Sequence, residues 1–106
     1  MTDVGYAAFR VTVERSDERA LLTCSGELDL ATADQLTTAV RAVLQDRPGS
    51  VLISFDNDTF VDSSGLRALL EALQDCRDAS TQVLVRPGAT LQRLLELVQI
   101  DVPREQ

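Results

Sequence analysis

Val51-Leu52-Ile53-Ser54-Phe55 is a short, almost unbroken apolar run with a helical pattern on either side. A run of this length and character reads as a strand covered on both faces. Such a strand needs neighbours in a sheet and helices packed against it. Upstream, Leu36, Ala39, Val40, Val43 and Leu44 fall at i, i+3, i+4, i+7 and i+8, one stripe of an amphipathic helix. Thr32 reads as the N-cap of that helix, with Gln35 completing a capping box, and Pro48-Gly49 ends it. Downstream, Leu66, Leu69, Leu70 and Leu73 mark a second helix.

The remaining segments extend this pattern. Phe9, Val11 and Val13 alternate with Arg10, Thr12 and Glu14, a half-buried strand. Arg15 to Arg19 is a charged turn, and Ala20 to Cys24 a second strand that closes a hairpin. Gln82 to Arg86 reads as the last strand, Pro87-Gly88 as a turn, and Leu91, Leu94, Leu95 and Val98 as a third helix. The order is β-β-α-β-α-β-α. Strand–helix–strand connections of this length make parallel neighbours, while the hairpin is antiparallel. The expected fold is therefore α/β, with a mixed four-stranded sheet and three main helices. One domain accounts for residues 1–106, with its core at about 9–101 and a loose segment at each end.

What the chain lacks narrows its chemistry. It has no histidine, and all ten of its basic residues are arginine. A histidine-based triad, a histidine metal site, a Walker lysine and a Schiff-base lysine are excluded. The net charge of −7 repels phosphate backbones and favours a partner that presents arginine or lysine. Cys24 and Cys76 form no metal motif, and Cys24 falls in a strand as a reduced core thiol would. No apolar run approaches the ~20 residues of a membrane span. With no basic-then-apolar leader, the expected location is the cytoplasm, and Asn57-Asp58-Thr59 is an accidental sequon.

Sites in parallel α/β sheets form beyond the carboxyl ends of the strands. Three loops should meet there: Gly26 to Ala31, Asp56 to Ser64, and Arg86 to Ala89. They bring Glu27, Asp29, Asp56, Asp58, Asp62, two serines and Arg86. The acids raise the possibility of a magnesium or phosphoaspartate site, but the lysine such sites use is missing. Catalysis by Ser63 or Ser64 would need an adjacent base that the chain does not have. If Asp62 caps the second helix, Val61 and Leu66 take the positions of a hydrophobic staple. One cap needs one side chain, so at least one serine hydroxyl is left over at a helix start, where negative charge is well tolerated. Spacing alone does not choose between Ser63 and Ser64.

Gly26-Glu27-Leu28-Asp29-Leu30-Ala31-Thr32-Ala33 and Thr59-Phe60-Val61-Asp62-Ser63-Ser64-Gly65-Leu66 resemble the two signature segments of the STAS domain family of bacterial anti-sigma factor antagonists. The element order agrees, and Leu94-Leu95-Glu96-Leu97 is similar to the family's last helix. The resemblance runs from about Phe9 to Asp101. It implies a binding module without catalysis, cofactor or metal, a monomer or weak dimer. Its partner would be an anti-sigma factor that is also a serine kinase, and binding would release a sigma factor. The kinase would modify Ser64, the serine before the glycine, with Ser63 the alternative, and a phosphatase would restore it. The partner face would draw on Asp29, Thr32, Asp62, Ser63, Gly65, Leu66 and Arg67, with Gly65 letting a partner approach closely. A second reading is an unphosphorylated STAS scaffold or ligand sensor in a larger assembly. The chain departs from the family pattern at Ser54, Phe55, Asp58, Arg67 and Gln99.

Overall fold

A computed structural model of the chain describes residues 8–105. The hairpin is β1 (Arg10–Ser16) and β2 (Arg19–Ser25), turning at Asp17-Glu18. A two-residue strand follows, β3 (Glu27–Leu28), then α1 (Ala33–Leu44) and β4 (Ser50–Phe55). Another two-residue strand, β5 (Phe60–Val61), leads into α2 (Ser63–Asp78). β6 (Gln82–Arg86) and α3 (Gly88–Val98) complete the order. The main sheet runs β1-β2-β4-β6, with β1 antiparallel to β2 and the other pairs parallel. This is the mixed four-stranded sheet with three helices that the sequence predicts. The pairing of β3 with β5 in parallel is an addition.

The register sorts the side chains onto two faces. Leu22, Ile53 and Val85 stand in one row and Ala20, Val51 and Val83 in the next, all buried. They share a core with Leu36, Val40 and Val43 of α1 and Leu66, Leu69, Leu73 and Cys76 of α2. Strand side chains alternate, so the row Leu21, Leu52, Leu84 points to the other face. Leu52 and Ser54 are buried, so β4 is enclosed on both sides as its composition implies. β1 is an edge strand and mostly exposed, and Val13 does not reach the cover that its alternation predicts.

Details at the helix margins and at the C-terminal end add to or correct the sequence expectations. Leu70 and Val98 lie on the exposed margins of their helices; Ala68, Ala72 and Cys76 fill the buried side of α2 instead. Leu97 is exposed, whereas Ile100 packs against the core. The C-terminal segment is not loose within the described residues. Val102 is buried, Arg104 bridges Val85, and the Val85 N–H donates to Pro103 O while the Glu105 N–H donates to Val85 O. This segment occupies the free edge of β6, where unpaired backbone groups would otherwise face solvent. The N-terminal arm, residues 1–7, lies outside the described residues.

α2 and α3 end without glycine. Ser80 and Gln99 each take a left-handed conformation, with φ of 57° at both. Beyond them, the Thr81 N–H reaches Cys76 O and the Ile100 N–H reaches Leu95 O, closing the last turns.

Candidate functional site

The site is assembled by the two short strands. β3 and β5 pair Glu27 with Phe60 and Leu28 with Val61. The Phe60 N–H donates to Gly26 O at 2.9 Å and the Asp62 N–H to Leu28 O at 3.2 Å. The two signature segments are thus joined backbone to backbone. Thr59 is fully buried and donates its hydroxyl to Cys24 O, which fixes the second segment to the end of β2. Asn57 of the second loop ties down the third: its Oδ1 accepts the Ala89 N–H and its carbonyl the Thr90 N–H just beyond. Gly88, at φ 74°, passes so close to Phe55 O and Asp56 O that a Cβ would stand 2.6 Å from each. All three predicted loops therefore meet at the carboxyl end of the sheet. Arg86 does not join them, because its guanidinium pairs with Glu105.

The start of α2 follows from Asp62. Its backbone is extended, its Oδ1 accepts the Gly65 N–H at 2.9 Å, and its carbonyl accepts the Leu66 N–H at 2.8 Å. Val61 and Leu66 are both buried in the core, as a staple requires. Asp62 alone caps the helix. Among the described residues, neither the Ser63 nor the Ser64 hydroxyl is used in a hydrogen bond, and neither is a buried unsatisfied group. Ser63 is exposed and Ser64 half-buried. Their N–H groups, in the first turn, have no acceptor within the helix.

Gly65 has a different role from the one expected. A Cβ there would stand 2.2 Å from Leu28 O and 2.9 Å from Leu28 C. The close approach that glycine permits is to β3 of its own chain, not to a partner. Leu66 is buried as well, so neither residue offers a side-chain surface to a partner. Thr32 is also corrected. It caps no helical N–H, and its backbone is helical rather than extended. Its hydroxyl donates to Glu27 O at 2.7 Å and accepts the Asp29 N–H at 2.9 Å. With its oxygen engaged in this way, the capping box with Gln35 does not form; Gln35 N–H donates to Thr32 O. Asp29 Oδ1 accepts the Ala31 and Thr32 N–H groups, so Asp29 and Thr32 knit the first segment into a fixed turn.

Between the first turns of α1 and α2 lies an open groove of about 420 Å³. Ser63, Ser64 and Arg67 line it from α2, and Asp34 and Thr37 from α1. Leu30 forms its lip and is 80% exposed. Sequence reasoning named the serines and Arg67 but missed Leu30, Asp34, Thr37 and Glu71. A signal did exist. Ser63, Arg67 and Glu71 are spaced by four along α2, and Asp34 and Thr37 by three along α1. What the sequence did not contain was the side-by-side packing of the two helices. Phe60, half-exposed on β5, is a further apolar group at this end of the sheet. A larger trough of about 760 Å³ lies over Leu21 and Leu52 on the other sheet face. None of the serines or loop acids of the site lines it, and its Arg86 is already paired, so we assign the site to the smaller groove.

No cluster of three or more histidine, cysteine or acidic residues able to hold a metal occurs among the described residues. Cys24 and Cys76 are buried and free. Burial, aided by Asp56, pushes the Cys24 thiol up to about 12, and burial with Asp75 pushes Cys76 up to about 11. No helix of the described residues is long and apolar enough to cross a membrane.

Anti-sigma-F factor antagonist RsfB of Mycobacterium tuberculosis is 30% identical over 91 residues, covering 86% of this chain and 75% of RsfB. An anti-sigma factor antagonist from Mycobacterium paratuberculosis superposes with a TM-score of 0.71 at 28% identity, over 87% of this chain and 79% of that one. The anti-sigma factor antagonist SpoIIAA in its unphosphorylated form shares the fold, with a TM-score of 0.64 at 17% identity over 93% and 87% of the two chains. The STAS domain model matches residues 10–102, which include the hairpin, both signature segments and all three helices; the chain belongs to the STAS domain family.

Proposed function

We propose that this chain is an anti-sigma factor antagonist, switched off by phosphorylation of Ser64. It binds an anti-sigma factor that is also a serine kinase, through the face made by the first turns of α1 and α2. Binding frees a sigma factor in the cytoplasm, and a phosphoserine phosphatase resets the switch. The domain is substrate and competitor, not enzyme. The relatives named above carry the antagonist part of the reading. The observation that carries the switch is the division of labour at α2: Asp62 caps the helix and leaves the Ser64 hydroxyl uncommitted at the groove.

Physical chemistry supports this arrangement. In the transfer, Ser64 Oγ takes the γ-phosphoryl group of ATP, ADP leaves, and the hydroxyl proton passes to a base of the kinase. The product carries about −1.5 to −2 charges at a helix N-terminus, where free N–H groups and the helix dipole accept them. The fold keeps its cap and its core. A partner approaching the groove meets new bulk and new charge beside Asp29, Asp34 and Asp62. Leu30, at the lip of the groove, supplies an exposed apolar anchor for that partner. Asp29 and Thr32 shape the first segment, and Gly65 and Leu66 hold the second in place.

The test is phosphorylation by the cognate anti-sigma factor kinase with ATP, read by mass spectrometry. The parent chain should gain one phosphate, located on Ser64, and Ser64→Ala should gain none. A Ser64→Ala protein modified to the same extent as the parent would show that the site is wrong.

A further inference from the structure

We propose that Arg67 holds the phosphate on Ser64, so that phosphorylation withdraws a cation from the binding face as well as adding an anion. The inference rests on Ser64 being the modified residue. Ser64 and Arg67 are three residues apart on α2, the spacing at which side chains meet on one helix face. Both line the same groove, and Arg67 is the one basic residue among those that line it.

Arg67 is exposed and forms no ion pair among the described residues, although Asp34 of α1 and Glu71 of α2 line the groove with it. Arg15, Arg41 and Arg86, by contrast, are each paired with an acid from a distant part of the chain. The unmodified site therefore keeps its one arginine available to a partner. A phosphate is a stronger competitor for it than either carboxylate. It carries nearly two charges on three acceptor oxygens, and the guanidinium fork matches it with two parallel bonds. The unpaired N–H groups of Ser63 and Ser64 serve the phosphate from the helix end, and Arg67 serves it from one turn along. The acids that line the groove with it are Asp34 on α1 and Glu71 on α2, with Asp62 next to Ser63 at the cap; the Asp29 carboxylate is taken up within its own turn.

The test installs phosphoserine at position 64 during translation, so that no kinase is required. The second ionisation of the phosphate, ordinarily near pH 6, is then followed by ³¹P NMR in the parent, R67Q and R93Q chains. Arg93 is an exposed arginine of α3 outside the groove and controls for net charge. R67Q should raise the second pKa by about half a unit, roughly threefold in proton affinity. R93Q should leave it at the parent value. Equal values in the parent and R67Q, or an equal rise in R93Q, would overturn the proposal. Because the phosphate is placed without a kinase, that result would leave the assignment of Ser64 as the kinase's target untouched. A kinase that ignores Ser64 would in turn leave this titration readable.

Discussion

Replacing Gly65 with alanine separates the structural role of this residue from the binding role its position suggests. The new Cβ would stand 2.2 Å from Leu28 O and 2.9 Å from Leu28 C. Neither atom is free to move aside. Leu28 O accepts the Asp62 N–H, and Leu28 pairs with Val61 in the β3–β5 ladder. Overpacking of this kind costs about 1–3 kcal/mol, and a contact this short against backbone belongs at the upper end. Alanine recovers up to about 1 kcal/mol of helix propensity. The net loss is about 2 kcal/mol, a fall of roughly 8–16 °C in Tm for a domain of this size. Circular dichroism melting of Gly65→Ala beside the parent measures it. Gly49→Ala is the control: its Cβ would press only on the movable end of the Glu18 side chain at 3.2 Å, with Glu18 O at an ordinary 3.5 Å, and it should melt within a few degrees of the parent. A Gly65→Ala chain as stable as the parent would refute the claim that this glycine exists for its approach to β3.

The other predictions concern the helix ends and the thiols. Gln99→Gly and Ser80→Gly should each raise stability by about 1 kcal/mol in urea unfolding, because each relieves a side chain in the left-handed region. Asp62→Ala should cost about 1 kcal/mol, and Asp62→Ser should recover most of it by capping the same N–H. Both thiols should be silent to a disulfide reagent at pH 8 in the native chain and react fully in denaturant. The folded thiols have their pKa raised from the ordinary 9.0 to about 12 for Cys24 and about 11 for Cys76. Their contribution to stability is thus complete below pH 9 and is lost as pH rises toward 11–12, where the unfolded chain alone is ionised. Unfolding midpoints measured from pH 8 to 11 should fall accordingly.

Most of the fold is legible in periodicity. The stripe from Leu36 to Leu44 and the run from Val51 to Phe55 appear where their patterns put them, because burial on one helix face or both strand faces leaves a strong mark. β3 and β5 are two residues each, too short to carry any period, yet they decide how the two signature segments meet. The C-terminal pairing with β6 is hidden behind Pro103 and the charges of Arg104 and Glu105. Thr32 has the sequence of a cap, but its hydroxyl is taken by Glu27 O, a partner only the folded turn supplies. In the site, Asp62 is readable as a cap because its bond is local, three residues away. Leu30 and Asp34 are not, because their relation to Ser64 depends on α1 lying against α2.

The central claim is that one phosphate at the start of α2 decides whether this face binds. Isothermal titration of the cognate anti-sigma factor kinase with the unmodified chain and with the chain carrying phosphoserine at 64 tests it directly. The account predicts a loss of about a thousandfold in affinity on phosphorylation, close to 4 kcal/mol, with the far-ultraviolet spectrum of the chain unchanged. Equal affinity for the two forms would contradict it.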